Sequence, residues 1–241
     1  ISRGAIRKAL SAALGTHVEG SLPFVAGRAP TNAPLRQARG FATLSLPLEE
    51  MHQIAHHYGA TLNDVAAAVI DHGLHAYLRD TDQGYAHEFI AMCPVSLRGD
   101  GDTTVGTKVS AMFVRLGQPE AAMADRLAQV AHSVATAKKE LGALSADAAM
   151  TYAVALVALA GAGASTHLDR VGHPACNLVI SNVPGSNDIR YLNGARLTGI
   201  FPVSALAAAI GLNVTLSSYC NHMDFGFVAN SAAISDVHAL A

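Results

Sequence analysis

The apolar positions of this chain change spacing from one stretch to the next, and the spacing predicts the elements. Residues 1–15 carry a helical pattern, and Thr16 to Pro34, with its Pro, Gly and Ser, reads as a linker. Arg36 to Leu46 alternates, with Phe41, Leu44 and Leu46 apolar, and predicts a strand. Pro47 opens a helix, LEEMHQIAHHY, that Gly59 stops. Thr61 starts the next one. Asp64 three residues on makes a capping-box-like signature, and Val65, Ala68, Val69, His72 and Ala76 form one stripe as far as Asp80. Phe89 to Leu97 and Val109 to Leu116 are apolar blocks of strand length around a Gly/Asp loop at 99–102. Pro119 to Leu141 is amphipathic, with Lys138 and Lys139 where a helix dipole favours cations, and Ser145 to Leu168 is a mostly apolar helix. From Cys176 to Asn230 the chain turns into short strands. Leu178 to Ile180 runs into Ser181-Asn182 and then Pro184-Gly185, a tight-turn dipeptide. Residues 189–206, 211–221 and 223–230 read as three further strand-like segments. Strands alternate with helices in the first half and cluster in the second. The pattern predicts an α/β, or α+β layered, fold with a mixed sheet flanked by helices.

Composition narrows the surroundings. The 241 residues suffice for one large domain or two packed lobes. At 51% hydrophobic and only 14% charged, part of the surface is expected to lie against another domain, a subunit or lipid. A net charge of −2 without a Lys/Arg run excludes a nucleic-acid partner. Three scattered cysteines build no disulfide framework and no zinc knuckle, which implies a reduced, cytoplasmic setting. The first fifteen residues interrupt their apolar stretch with charge and so read as no secretory signal; they open without Met inside a helix, as a processed or truncated start would. Residues 148–166 approach membrane-spanning length but are built from Ala and Gly, and predict a buried or membrane-grazing helix.

Several clusters compete as candidate chemistry. His52, His56 and His57 share a helix, as do His72 and His75, but no Glu lies between His52 and His56 to serve as a base and no third ligand has convincing spacing, so chance among 12 histidines explains them better than a metal. Gly161 and Gly163 lack a third glycine at nucleotide spacing; Ser96 and Ser181 lack a nucleophile elbow; Asp224-Phe225-Gly226 lacks the other parts of a kinase. Asn63-Asp64 reads as a helix cap or as a cap that also braces a site wall. Ser181-Asn182 reads as turn chemistry or as a ligand contact at a strand end.

The order of motifs resembles the C-terminal half of the bacterial wax ester synthase/acyl-CoA:diacylglycerol acyltransferase family. Asn63-Asp64-Val65 stands at its ND motif and Pro94 to Arg98 at PVSLR. Ser181 to Gly185 matches SNVPG, and Gly194-Ala195 its glycine-alanine pair. Phe201 to Ser204, Gly211 to Tyr219, Phe225-Gly226 and Asp236 match the closing segments, so the likeness covers nearly all of 30–241. Gly106-Thr107, Ser186 and Asn230 depart from it mildly, at loops and strand ends. One departure is larger. The family's HHxxxDG motif, whose second histidine is the general base, is not found, since His56-His57 is followed by no Asp at the required place.

The resemblance implies one lobe of a chloramphenicol-acetyltransferase-like, CoA-dependent fold. It implies a linker helix and loop at 1–34, a C-terminal acyltransferase domain at 35–241, and a catalytic N-terminal domain outside this chain. The implied reaction moves a long-chain acyl group from acyl-CoA, as substrate rather than cofactor, to diacylglycerol or a fatty alcohol. Ser181 and Asn182 are then the expected oxyanion or site-wall residues, with Asn63, Asp64, Pro184 and Gly185 as support. Arg98 and Lys108 are candidates for the CoA phosphates, and no metal or cofactor is expected. The implied partners are the N-terminal domain, acyl-CoA with its acceptor, and a membrane or lipid droplet touched from the cytoplasm. Two alternatives share the fold: a non-catalytic lipid-binding or scaffolding domain, and half of a related condensing enzyme with another acceptor.

Overall fold

The structure, a computed structural model, describes residues 20–97, 109–165 and 172–241. The helix expected at 1–15 and the loop at 99–102 lie outside them. Six strands form one sheet: β1 (Arg39–Pro47), β2 (Ile90–Ser96), β3 (Val109–Arg115), β4 (Leu178–Val183), β7 (Leu212–Tyr219) and β8 (His222–Asn230). A separate hairpin pairs β5 (Tyr191–Leu192) with β6 (Ala195–Arg196). The helices are α1 (Leu48–Tyr58), α2 (Leu62–Asp80), α3 (Met123–Gly142), α4 (Ala146–Ser165) and the short α5 (Val237–Leu240). The sheet order is β1-β8-β7-β4-β2-β3. The β7–β4 and β4–β2 pairs are parallel and the rest antiparallel, so the sheet is mixed, as expected, and β4 is interior.

Strand alternation separates the two faces. Leu178, Ile180, Leu212, Val214, Leu216, Phe225 and Phe227 point to the larger core, which is closed by Met51 and Ala55 of α1, Leu74 and Leu78 of α2, and Leu127, Val130 and Val134 of α3. The other face carries a smaller cluster of Ile90, Phe113, Val179, Cys176 and Ile210 under Leu22, Val25 and Ala26. Tyr152 and Leu156 of α4 pack against it.

Local chemistry sets the ends of the elements. Gly59 takes φ 63°, the left-handed conformation that stops α1. Thr61 caps α2: its side chain accepts from Asp64 N at 3.3 Å, and Asp64 Oδ2 accepts from Thr61 N at 2.8 Å and Thr61 Oγ1 at 2.7 Å. Residues 20–34, expected as a linker, are docked by two buried asparagines. Asn177 Oδ1 accepts from Ile90 N, and its Nδ2 donates to Gly27 O and to Asn32 Oδ1, each at 2.8 Å. Asn32 Nδ2 in turn donates to Cys176 O at 2.9 Å and Ala209 O at 2.7 Å. A buried amide with every polar atom bonded specifies one geometry, because any other leaves an unpaired group in the core.

Three expectations change. The α2 stripe is rotated: Val65 and Ala68 are buried, but His72 is exposed, and the deep face runs through Ile70, Leu74 and Leu78. Asp71 and His75 are buried on that helix because Arg126 of α3 meets them there. Residues 189–206 are not a strand of the sheet but the small hairpin followed by an extended arm. Proline and two glycines interrupt the ladder there. Finally, of the two readings of α4, buried or membrane-grazing, burial throughout does not hold: Tyr152 and Leu156 pack on the smaller cluster while Val154 is exposed.

Candidate functional site at the end of the parallel strands

In open sheets with parallel strands, ligands bind in the crevice outside the strands' carboxyl ends. That is where the two polar motifs meet. Asn182, at the end of β4, donates its Nδ2 to Oδ1 of Asn63, in the first turn of α2, at 2.7 Å. The two residues are 119 positions apart in sequence. Either assignment of the amides leaves an outward N–H and an outward carbonyl on the exposed pair.

Ser181 faces the other way. It pairs in register with Thr215, and Asn182 with Leu216, so the serine lies on the face that carries Val179 and Val183. It is half-buried, and its hydroxyl makes no hydrogen bond among the described residues. The turn behind it is fixed. Gly185 N donates to Ser218 Oγ at 3.1 Å, Cys220 N donates to Ser186 O at 3.0 Å, and a methyl group on Gly185 would overlap the Ser218 carbonyl. Pro184 and Gly185 thus hold the strand end.

Asp64 follows Asn63 in the first turn of α2. It is buried, Oδ2 serves the cap, and Oδ1 has no partner among the described residues. Cys93 of β2 lies near it; burial, then the Asp64 charge, pushes the thiol up to about 12, which leaves it protonated and inert as a nucleophile. Asp64→Ala is expected to lower stability by about 0.5–2 kcal/mol through the lost cap, read as a urea midpoint shift. Thr61→Ala should cost a similar amount and the double variant little more. Additive losses would show that the two residues act apart.

Beside Ser181 runs a row of polar residues, of which the sequence points to Asn213 and Ser217 as alternative site residues but not to Thr215. Asn213, Thr215 and Ser217 are buried on the Ser181 face of β7. Thr215 Oγ1 donates to Asn213 Oδ1 at 2.9 Å and lies 2.7 Å from Ser204 Oγ. The signal was the alternation L-N-V-T-L-S, apolar on one face and hydroxyl or amide on the other. Asp224 is no kinase residue: its carboxylate accepts from Ser45 Oγ at 2.5 Å and Ile200 N at 2.7 Å.

The remaining candidates separate. His52, His56 and His57 are exposed on α1, and His72 is exposed while His75 is buried. Among the described residues no group of three or more His, Cys, Asp or Glu is placed to hold a metal. Arg98 and Lys108 lie outside the described residues. Among those described, no helix is long and apolar enough to cross a membrane.

A family model described as the WS/DGAT C-terminal domain matches residues 105–241. A second, described as the wax ester synthase/diacylglycerol acyltransferase catalytic domain, matches residues 1–66, which include Asn63 and Asp64. A Mycobacterium tuberculosis protein named as a diacylglycerol O-acyltransferase is 36% identical over 213 residues, 87% of this chain and 43% of its own length. The O-acyltransferase WSD of Acinetobacter baylyi is 31% identical over 82% of this chain and 43% of its own. The wax ester synthase/diacylglycerol acyltransferase of Marinobacter aquaeolei VT8 superposes with a TM-score of 0.74 at 26% identity, covering all of this chain and 53% of that one. A nonribosomal peptide synthetase, FmoA3, shares the fold alone, at a TM-score of 0.56 and 14% identity over 87% of this chain and 22% of its own. The chain spans about half the length of the curated relatives it matches.

Proposed function

The chain belongs to the wax ester synthase/diacylglycerol acyltransferase family, and from that premise we propose that it forms the C-terminal half of an enzyme acylating diacylglycerol or a fatty alcohol from a long-chain acyl-CoA. The observation that carries the reading is the bond between Asn63 and Asn182, which brings two distant polar motifs to one strand end.

The chemistry divides between two halves. An alcohol attacks a thioester slowly at neutral pH, so a histidine base must take its proton as the C–O bond forms. That base is expected in the half preceding this one. The carbonyl becomes an oxyanion, which preorganised donors stabilise. Collapse then breaks the C–S bond, and the CoA thiolate receives the proton from the histidine. In this reading Ser181 gives its uncommitted hydroxyl to the oxyanion. Asn182, braced by Asn63, fixes the wall on the opposite face of β4. The Ala/Gly-rich α4 borders the path of the acyl chain, and Arg98 and Lys108 meet the CoA phosphates. The lipid substrates place the reaction where the cytoplasm meets a membrane or lipid droplet.

The test is a comparison of CoA release and ester formation. The purified chain with an acyl-CoA and a fatty alcohol or diacylglycerol should show no turnover above the solvent background. Fused behind the complementary half of a relative, it should release CoA and form ester in equal amounts. Turnover by the chain alone, or a folded fusion that forms no ester with either acceptor, defeats the reading.

A further inference from the structure

Among the described residues twelve large apolar side chains are exposed, and six of them, Val183, Ile189, Tyr191, Leu192, Phe201 and Val203, fall in one stretch of the chain. Leu192 is 82% exposed and Val203 71%. An extended arm alternates, and from Phe201 onward this one turns its exposed residues outward and its half-buried ones, such as Pro202 and Ser204, toward the sheet. Water is a poor neighbour for such a ridge. A stretch that exposes this many large apolar side chains marks an interaction site.

The ridge is held rigid from behind. Tyr219 Oη accepts from Arg190 N at 2.8 Å and donates to Leu197 O at 3.2 Å, clamping both ends of the β5–β6 hairpin. Asp224 accepts from Ile200 N at 2.7 Å, and Ser204 Oγ lies 2.7 Å from Thr215 Oγ1. Pro202 lies so close to Gly226 that a methyl group there would overlap its carbonyl. An arm anchored at these points on its inner side, with large apolar side chains outward, has met part of its ordering cost in advance, which favours association.

We propose that residues 183–203 form a preorganised docking ridge for the other half of the enzyme, with Tyr219 and Asp224 as the residues that position it. The proposal rests on the half-enzyme reading. The occupant follows from length: relatives of which this chain covers 43%, and a solved structure of which it covers 53%, contain a second body of comparable size. The ridge also adjoins Ser181, because Val183 shares its face of β4. Docking there closes the oxyanion side of the site.

Cysteine accessibility tests it. Leu192→Cys, Val203→Cys and, as a control on α1, Ile54→Cys are labelled with a maleimide, and each rate is corrected for the parent chain. The rates are compared in the isolated chain and in a fusion where this chain replaces the matching half of the Mycobacterium tuberculosis relative. Positions 192 and 203 should label at least about tenfold more slowly in the fusion, as in a water-excluding interface core, and position 54 equally in both. Tyr219→Phe should restore much of the labelling at 192 in the fusion while the isolated chain melts nearly as before. Leu192→Glu with Val203→Glu should split one melting transition of the fusion into two. Equal labelling in both contexts overturns the proposal. So does protection of the isolated chain by phosphatidylglycerol vesicles or by raised protein concentration, or a wild-type fusion that fails to fold. A fusion with a protected ridge and no ester formation would instead defeat the functional reading and leave the docking intact. An active fusion with a freely labelled ridge would do the reverse.

Discussion

Ser181→Ala, made in an enzyme that contains both halves, is expected to lower kcat roughly a hundred- to a thousandfold, about 2.7–4 kcal/mol of transition-state stabilisation. KM should hardly move, because the donor meets full negative charge only as the oxyanion forms. Stability should hardly move either, since the Ser181 hydroxyl has no bond among the described residues to lose. Asn182→Ala should behave differently. It breaks a 2.7 Å hydrogen bond to Asn63 and is expected to cost about 0.5–1.5 kcal/mol of local stability. Asn63→Ala should match it, with a double variant no worse than either. Steady-state kinetics and urea unfolding on the same preparations separate the two. A kcat within a few-fold of the parent for Ser181→Ala would move the donor elsewhere on that face, and Thr215, its neighbour in register, would be examined next.

The two roles follow from alternation, and alternation was legible in the sequence. Two successive polar residues at a strand end must point to opposite faces, so at most one could meet the thioester. Which one could not be read from 178–183 alone. The proposed assignment rests on Asn63 reaching Asn182 across 119 residues, and such a contact has no local signature. The helix cap at Thr61 and Asp64, the stop at Gly59 and the turn at Pro184-Gly185 were legible, because each is local chemistry within four residues. The α2 stripe misled because amphipathic spacing weighs apolarity, and this helix buries an aspartate and a histidine on its deep face. Their partner, Arg126, arrives from another helix. The 189–206 arm misled for a related reason: its strand-like alternation is real, but it lies over β7 and β8 without joining their ladder. A pattern of exposed apolar residues records a face that is buried only when something else is present.

The largest stability loss is expected where α2 and α3 share a charged cluster. Asp71, His75 and Arg126 are 0%, 6% and 1% exposed. The Arg126 guanidinium ion-pairs with Asp71 Oδ2, which also accepts from Gly117 N at 3.1 Å, and it donates to Pro119 O at 2.9 Å. Arg126→Met takes the guanidinium away from that buried carboxylate, leaving it only His75 and Gly117 N, and should cost up to about 3–5 kcal/mol. Replacing both, Asp71→Leu with Arg126→Met, should cost less, since the buried carboxylate leaves with its guanidinium and His75, without Asp71, is no longer held in its charged form. His75 gives the cluster a pH signature. Its Nδ1 lies 3.0 Å from Asp71 O and 3.3 Å from Asp71 Oδ1, and its Nε2 3.3 Å from His87 O. Both ring nitrogens thus face oxygen acceptors, and only the imidazolium carries a proton on each. Burial alone would lower the pKa, but Asp71, by hydrogen bond and charge, more than offsets it, and the pKa is raised above 6.5. Arg126 Nη1, 3.5 Å from Nδ1, is the cation that opposes this. A pKa raised on folding stabilises fully below the unfolded value and loses its effect as pH rises through the folded one. The stability gap between the parent and His75→Gln, from urea unfolding at a series of pH values, should therefore be widest below about pH 6.5 and shrink above it. A gap that grows with pH would mean a neutral ring, with one nitrogen facing a carbonyl and no proton between them.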